Sequence, residues 1–361
     1  MAPIISGFLL VAIAVAGIVA WWLSRGGGTA GDRRDDATHP AAAAQSAAPR
    51  VPGGTGDVPV ALAAELARAS TRLWAGALSA ARFEFDVPPG HEPIMLAVRK
   101  ALAADPLAER YFPRRPMLMP QLLVAVNDPD APPLKLAGII SQDPVLTGNI
   151  LRLANSVYFR LSAVPVESIQ RAVVVCGTDG LQSLAATALV QPVFRAGTED
   201  HSRFPAVLWE RCTQASIAAE MCARRWCPAD RQAAQLLALL SALGPLVAYR
   251  VVQDQYRTQP KIPPAPAVFL QVIDRFSTVM AARIATLWQS PPRIVAVLQG
   301  DDPHEPLVRA LRAGELLATQ SLLAAEGRLS EDECGKRAAE AGISESLFGA
   351  VWVRLHPPAE Q

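Results

Sequence analysis

An uncharged apolar run near the start of the chain sets the first constraint on this protein. From Ile4 to Leu23 the sequence reads IISGFLLVAIAVAGIVAWWL without a charged residue, and a helix needs about 20 such residues to cross the hydrocarbon layer of a membrane. A cleaved signal peptide would have a basic start, a shorter apolar stretch and a small-residue cleavage site. The run has none of these features, so we expect residues 1–24 to form a single transmembrane anchor.

The residues that flank this run indicate its orientation. Trp21 and Trp22 close the run, and indole rings favour the membrane–water interface. Arg25, Arg33 and Arg34 follow it, whereas no Lys or Arg precedes it. Basic residues favour the cytoplasmic side, and neighbouring acidic residues weigh little in this bias. The sequence thus predicts a single-pass protein of the inner (cytoplasmic) membrane whose globular part faces the cytoplasm.

The residues after the anchor have a composition typical of a tether. Residues 25–57 are rich in Gly, Ala, Pro and small polar residues, and they show no sustained apolar period. Such a segment cannot bury enough surface to offset its ordering entropy. The glycine clusters at Gly26–Gly28 and Gly53–Gly56 lack the Lys-Ser/Thr that a phosphate-binding loop requires. We therefore interpret 25–57 as a flexible linker.

The rest of the chain is predicted to be all-α. Hydrophobic residues make up 51% and charged residues 19% of the sequence, and the apolar residues recur at helical spacing while strand-like alternation is scarce. Residues 58–110 are helix-prone but broken by FEFDVPPG at Phe83–Gly90. We assign them to a small pre-domain.

Proline, glycine and asparagine mark the expected helix boundaries in the middle of the chain. Asp143 can cap a helix that begins at Pro144. Asn155 is an expected stop because asparagine tolerates the left-handed conformation of helix ends. A second helix should break at Gly177, after which Thr178 can cap the next. Further helices are expected at Leu208–Cys222 and at Ala233–Leu243, whose apolar residues should be fully buried in the core. Others are expected across Phe269–Trp288, after Pro291-Pro292, and from Pro306 through Leu317.

Charge and cysteine content exclude several classes of protein. The net charge is +1, from 34 basic and 33 acidic residues, which gives no broad attraction for nucleic acid. The five cysteines are odd in number and follow no disulfide or zinc spacing. A reducing, cytoplasmic setting is therefore expected.

Five segments of the folded part resemble, in order, the motifs of one helical family. They are MLMPQ at Met117–Gln121, ISQDPVLTGNILRLANSVYF at Ile140–Phe159, VESIQRAVVVCG at Val166–Gly177, LWERC at Leu208–Cys212 and LLALLSALGPL at Leu236–Leu246. They resemble the HDOD family, which comprises helical signalling domains related to HD-type metal phosphohydrolases. The resemblance implies an HD-like helical bundle over 111–317. A C-terminal helical extension, residues 318–361, is expected to pack on it.

The same resemblance identifies departures at the positions of the metal ligands. Catalytic HD domains hold a metal with His and Asp side chains from several helices. Here the first ligand position falls at or near Arg211, the adjacent His-Asp pair at Ser241-Ala242, and later histidine positions near Ser277 and near Gln299-Gly300. None of these residues is a good metal ligand, and Arg211 would repel a cation. The sequence thus predicts no catalytic residue, no metal site and no cofactor.

One acidic cluster is the alternative metal site. Asp301, Asp302, His304 and Glu305 lie close together in the sequence, and oxygen-rich groups can hold a divalent ion. The better interpretation is a loop and helix cap, in which Asp302 or His304 precedes a helix and acidic residues complement its dipole.

Other reactive or charged residues have ordinary explanations. Cys222 and Cys227 are not spaced as a C-x-x-C pair, and they are expected to be core or surface thiols. Ser241 has no nucleophile-elbow motif and no histidine placed to activate it. Arg224 and Arg225, beside Trp226, are expected on a solvated helix face.

We therefore expect a membrane-anchored, non-catalytic signalling module that binds a protein partner or a small signalling ligand. Two alternatives remain open. One is a residual metal-dependent phosphohydrolase with relocated ligands around Asp302. The other is a sensor of a nucleotide second messenger, which basic residues around Arg211 and Arg224 permit. Nucleic acid is not an expected partner.

Overall fold

The computed structural model describes residues 58–80, 86–104, 111, 133–141, 144–161, 164–195, 203–288 and 290–356. Within these ranges the regular structure is helical throughout and no strand is present, which confirms the all-α prediction. The predicted anchor and linker, residues 1–57, lie outside the described residues.

Thirteen α-helices make up this part of the chain. They are α1 Val58–Ala77, α2 Glu92–Ala103, α3 Pro133–Ser141, α4 Pro144–Ala154, α5 Ile169–Arg195, α6 Phe204–Trp226, α7 Arg231–Ser241, α8 Leu243–Thr258, α9 Pro266–Leu287, α10 Pro292–Gln299, α11 Pro306–Ala325, α12 Glu331–Glu340 and α13 Glu345–Leu355, with a short 3-10 helix at Pro228–Asp230 before α7. Five of the thirteen begin with proline, which needs no hydrogen-bond acceptor at the first helical position.

The centre of the fold is the pairing of α6 with α11, against which α1, α7 and α13 also pack. The two helix backbones approach so closely at Gly314 that a Cβ atom there would lie 2.5 Å from Ala219 Cα. Ala215, Ala219 and Ala318 continue the small-residue contact and are fully buried. Glycine at 314 therefore sets the distance between the two central helices.

A row of aromatic rings joins four of the helices through the core. Trp74 on α1 meets Phe204 on α6 edge-on, with ring centroids 5.2 Å apart. Phe204 stacks on Tyr249 of α8 at 4.7 Å, and Tyr249 contacts Phe269 of α9 at 5.2 Å. Since each aromatic pair adds about 0.5–1.5 kcal/mol beyond its buried area, α1 is a structural part of the core.

Helices α3, α4 and α5 form a group that meets the rest of the fold at α6 and, through a polar seam, at α7. Gln235 donates to Ser183 Oγ at 2.5 Å, and Arg231 pairs with Asp179 at 2.6 Å. Gln232 also donates to Gln182 at 3.1 Å. This seam is held by side-chain hydrogen bonds, whereas the α6–α11 contact is built mainly from small apolar residues.

Several predicted boundaries are confirmed. Helix α4 begins at Pro144, although Asp143 lies outside the described residues. The helical run of α5 is interrupted at Gly177, which has φ 71°. Leu208, Cys212 and Cys222 are buried on α6, as expected. The helix from Pro306 extends beyond Leu317 to Ala325.

Two details of the sequence interpretation were wrong. Helix α4 ends before Asn155 as predicted, but Asn155 is not left-handed. It ends the helix with its side chain instead, because its amide donates to Leu151 O and Val166 O and accepts from Val166 N. On α7, Ala233 and Leu236 are only half-buried, since the seam with α5 and the helix surface leave part of that face open.

The C-terminal helices α12 and α13 pack on α11. Ser330 and Glu333 form a reciprocal capping box at the start of α12. Arg337 of α12 pairs with the buried Glu65 of α1 at 3.4 Å. Helices α1 and α12 are therefore tied to each other as well as to the core.

One stretch of the described residues, Pro228–Thr258, is long and apolar enough by length and composition to cross a membrane, but 83% of its apolar window is buried inside the fold. It comprises α7 and α8, which supply core residues such as Leu239 and Val247. The core position accounts for its apolar character.

Candidate functional site

A cavity of about 280 Å³ lies between α1, α6, α7, α9, α10 and α11. Its lining includes Arg211, Ser241, Ser277, Gln299 and Gly300. These are the positions that the motif order assigns to the metal ligands of HD domains, and they come from four different helices. The structure therefore brings the predicted positions together, with Ala242 buried next to Ser241.

Arg211 lies at the inner end of the cavity, where its side chain is only 7% exposed. Its Nε donates to Thr319 Oγ1 at 2.8 Å, and its Nη1 lies 3.8 Å from Glu315 Oε1. The guanidinium also stands 5.3 Å from the centroid of the Trp74 ring, within reach of a cation–π interaction. Three helices thus hold this cation in place.

Glu315 is the carboxylate that balances Arg211, and its side chain is only 10% exposed. It accepts a hydrogen bond from Ser241 Oγ at 2.6 Å. Thr319, one turn further along α11, donates to Glu315 O at 2.6 Å. The Ser241 hydroxyl therefore holds the Glu315 carboxylate in place, and the Thr319 hydroxyl holds the Arg211 guanidinium.

The donor set does not suit a divalent cation. A guanidinium has no lone pair to offer, Ser241 offers only a neutral hydroxyl that already donates to Glu315, and Ala242 has no polar side chain. Within the described residues no group of three or more His, Cys, Asp and Glu side chains could hold a metal ion. The residues that the structure places at the predicted ligand positions do not fit the metal of HD-type enzymes.

The outer part of the cavity carries a second pair of charges. Arg312 on α11 is half-buried and Asp274 on α9 is exposed. Ser70 and Thr71 of α1 and Thr278 of α9 add hydroxyl groups to the same rim. The apolar share of the wall comes from Leu66, Leu270, Ile273, Val297 and Leu311, among others.

The acidic cluster after α10 does not reach this cavity. Asp302 accepts from the backbone N–H of His304 at 2.9 Å, and Glu305 pairs with Arg293 at 3.0 Å. Asp301 is exposed. The N-cap of α11 is Glu305, without a side-chain cap bond, so the prediction of Asp302 or His304 as the cap was wrong. Asp302 instead closes a local turn, because its carboxylate accepts from the backbone N–H two residues later.

Cys222 and Cys227 sit at the end of α6, where burial raises the pKa of the Cys222 thiol to about 12 and that of Cys227 to about 11. Both are therefore protonated at neutral pH and are poor nucleophiles or metal ligands. Burial also raises the pKa of the Cys212 thiol, beside Arg211. All three are free thiols.

The basic residues of α6 do not form one site. Arg224 pairs with Glu220 at 2.7 Å on the exposed surface, and Arg225 is exposed. The Trp226 ring is covered by Arg309 at 4.1 Å. At 1.5 Å rise per residue, Arg211 and Arg224 are about 20 Å apart along the helix, so a single small ligand cannot contact both.

The most informative residues of the site were not predicted from the sequence. Trp74, Arg312, Glu315 and Thr319 all belong to helices α1 and α11, outside the quoted family motifs. Glu315 carried a usable signal, because a carboxylate within the apolar run from Leu311 to Leu323 needs a buried partner. No sequence signal marked Trp74 as a site residue, since its neighbours have the pattern of an ordinary core helix.

Comparison with known proteins supports the fold. The family model for the HDOD domain matches residues 112–302, which is more than half of the chain. The crystal structure of an HDOD domain protein with unknown function from Geobacter sulfurreducens aligns with a TM-score of 0.51 and 18% identity, covering 74% of this chain and 98% of that one. No curated protein matches.

A second solved structure gives the same result. A candidate metal-dependent phosphohydrolase from Shewanella amazonensis aligns with a TM-score of 0.50 and 17% identity, covering 73% of this chain and 99% of that one. At these identities the likeness concerns the fold alone. The family match, the shared fold and the convergence of the motif positions on one cavity lead to one conclusion: the chain belongs to the HDOD domain family, related to HD-type phosphohydrolases.

Proposed function

We propose that this protein is a non-catalytic HDOD regulatory module, held at the inner face of the cytoplasmic membrane by residues 4–23, that binds a signalling partner. The observation that carries the proposal is the Arg211–Glu315 pair among the positions that the motif resemblance assigns to the metal ligands of HD-type enzymes. Arg211 comes from α6, Glu315 from α11, and Ser241 from α7 ties the carboxylate down.

Electrostatics support this interpretation of the cavity. A divalent cation at the ligand positions would meet the fixed charge of Arg211, and the repulsion between like charges is strong where the surroundings exclude water. The carboxylate that could attract the cation is already neutralised by that same guanidinium. Metal-activated water is the nucleophile of HD-type chemistry, so these residues argue against hydrolysis.

The direct test is metal content and hydrolysis in the full-length protein, purified in a mild detergent. We expect no stoichiometric metal by elemental analysis and no phosphoester hydrolysis that a chelator abolishes. A variant with Asp302→Asn and His304→Ala is the matched control for relocated ligands. If the unmodified chain holds one metal per molecule and this variant loses both metal and hydrolysis, the phosphohydrolase alternative replaces our proposal.

The membrane position is tested separately. Cell fractionation should place the chain in the inner membrane, and protease added from the outer side should leave the globular part intact. Deletion of residues 1–24 should release the protein from the membrane. Protease cleavage of the globular part in intact spheroplasts would reverse the proposed orientation.

The partner in this proposal is a protein of a signalling pathway or a small signalling ligand, and the protein is tested first. Proximity labelling from the C-terminus in the native membrane compares the unmodified chain with a variant that lacks the Arg211–Glu315 pair. If the cavity serves only as a structural core, both should enrich the same proteins. Enrichment that depends on these residues would instead make the cavity part of the docking function.

A further inference from the structure

The buried cation of the cavity has donors that no group in the described part of the chain uses. Arg211 is 6% exposed, yet of its three nitrogens only Nε makes a hydrogen bond to a described residue, Thr319. Nη1 is 3.8 Å from Glu315, which is too long for a hydrogen bond. Neither terminal nitrogen has a hydrogen-bond partner among the described residues.

These terminal nitrogens open into the cavity rather than into the packed core. They are absent from the fully enclosed polar atoms of the described residues that lack a partner, and Arg211 lines the cavity. Donors of a buried guanidinium without an acceptor are energetically unfavourable. The cavity therefore presents charged donors to whatever enters it.

A second guanidinium faces the same space from the rim. Arg312 has no ion pair or hydrogen bond to any residue that the structure describes. Its Nη2 lies 2.5 Å from the point that a Cβ of residue 300 would occupy. Gly300 is left-handed, with φ 72°, and lines the cavity. The absence of a side chain at 300 is what lets Arg312 lie across this wall.

We propose that the cavity binds a compact organic anion, whose oxyanion group, a phosphate or a carboxylate, is held by Arg211 and Arg312. Guanidinium groups pair with both kinds of oxyanion through two parallel hydrogen bonds. The apolar body of the ligand lies against Leu66, Leu270 and Ile273. The inference deepens the proposed function, on which it rests, by naming the class of signalling ligand.

The size and charge of the cavity limit the class of ligand further. The cavity of about 280 Å³ is slightly smaller than the usual ligand pocket of about 300–1,000 Å³, so the ligand has one ring or a short chain. The acids that face the cavity are Glu315 and Asp274. Glu315 is engaged by Ser241 and Arg211, whereas Asp274 is exposed on the rim and opposes the anion only weakly through solvent.

The test uses phenyl phosphate and benzoate as probes, with benzamide as the uncharged match. Binding to the full-length protein in a detergent without aromatic protons is measured by saturation-transfer NMR, with titration to obtain dissociation constants. We expect saturable binding of at least one anion and none of benzamide. Comparison of the two anions distinguishes a phosphate ligand from a carboxylate ligand.

Four variants test the expected direction of change in binding affinity. Arg312→Gln should weaken binding about tenfold, because a hydrogen-bonded charge is removed. Asp274→Asn should tighten binding about threefold by removing a like charge from the rim. Arg275→Gln changes the net charge equally on the exposed surface of α9, and should stay within about twofold of the unmodified chain. Arg211→Gln should abolish binding if it folds.

The outcomes separate this inference from the proposed function. Binding without hydrolysis supports both. Chelator-sensitive hydrolysis of phenyl phosphate overturns the proposed function while leaving an anion site. No binding of either anion at millimolar concentration, or equal loss in Arg312→Gln and Arg275→Gln, overturns the inference alone.

Discussion

The α6–α11 contact and the α5–α7 seam join helices in opposite ways. The first places Gly314 against Ala219 with almost no space between the backbones, and encloses one ion pair, Arg211 with Glu315. The second relies on glutamine and serine side chains and on the Asp179–Arg231 pair, whose carboxylate is 52% exposed. Water can replace the partly exposed Asp179–Arg231 pair of the seam but not the contacts of the central pair. Substitutions should therefore have large effects at the central contact and a small effect at this exposed pair.

Removal of Glu315 should have the largest effect. Glu315→Ala leaves the buried Arg211 without its counter-charge, and broken buried pairs lose about 3–5 kcal/mol of unfolding free energy. Urea denaturation followed by circular dichroism measures this loss. The double variant Arg211→Met with Glu315→Leu should regain most of it, because no unpaired charge remains. A single-variant loss below about 1 kcal/mol would show that water already reaches the pair.

Gly314→Ala should rank second. The added methyl group would overlap the Ala219 backbone, and overpacking of a core typically destabilises by about 1–3 kcal/mol. Gly148→Ala is the matched control, since Gly148 is exposed on α4 and a Cβ there would meet nothing within 4 Å. The control should gain about 0.5–1 kcal/mol from helix propensity. Equal thermal shifts in the two variants would contradict the close approach of α6 and α11.

Asp179→Asn should have a smaller effect at the seam. Its pair with Arg231 is partly exposed, and such pairs contribute less than about 1 kcal/mol. The loss should shrink further at high salt, because salt screens exposed charges. If the loss equals that of Glu315→Ala, the seam and the central contact do not differ in the way described above.

The smallest effect concerns alkaline pH. Tyr158 donates to Glu210 at 2.8 Å and accepts from Gln214 at 2.9 Å, and burial raises its pKa from 10.0 to about 12. Between these values the unfolded chain has released the tyrosine proton and the folded chain has kept it. Stability should therefore fall as pH rises from 10 to about 12.

Tyr158→Phe should reduce this slope without removing it. The thiols of Cys222 and Cys227, whose pKa values burial also raises, still titrate in alkaline solution. Thermal unfolding across the same pH range compares the variant with the unmodified chain. An unchanged slope would mean that the Tyr158 hydroxyl is as solvated in the folded state as in the unfolded state.

Local chemistry made much of the fold predictable. Pro144, Pro292 and Pro306 each begin a helix, and Gly177 breaks one. Proline fixes φ and glycine permits a positive φ, and both effects are independent of the neighbouring residues. Asn155 shows where local reasoning fails. It ends α4 through a bond to Val166, eleven residues later, and no helix-end preference encodes that contact.

The site was predictable only in part, for the same reason. The order of motifs correctly brought Arg211, Ser241, Ser277 and Gly300 to one cavity. The Thr319 hydroxyl that holds Arg211 is 108 residues away in the chain. The carboxylate of Glu315 signals a buried partner, but the sequence does not indicate which residue that partner is. Pairing at such separation depends on how helices pack, which periodicity does not record.

The position of α1 and α11 has a practical consequence for anyone who expresses a piece of this protein. The family match begins at residue 112 and ends at residue 302. Trp74 lies before this range and Glu315 lies after it. A fragment trimmed to those limits would leave Arg211 with no counter-ion, strip one ring from the aromatic row and uncover the apolar faces of α6 and α9. Such a fragment should aggregate, whereas one spanning 58–356 keeps every wall of the cavity.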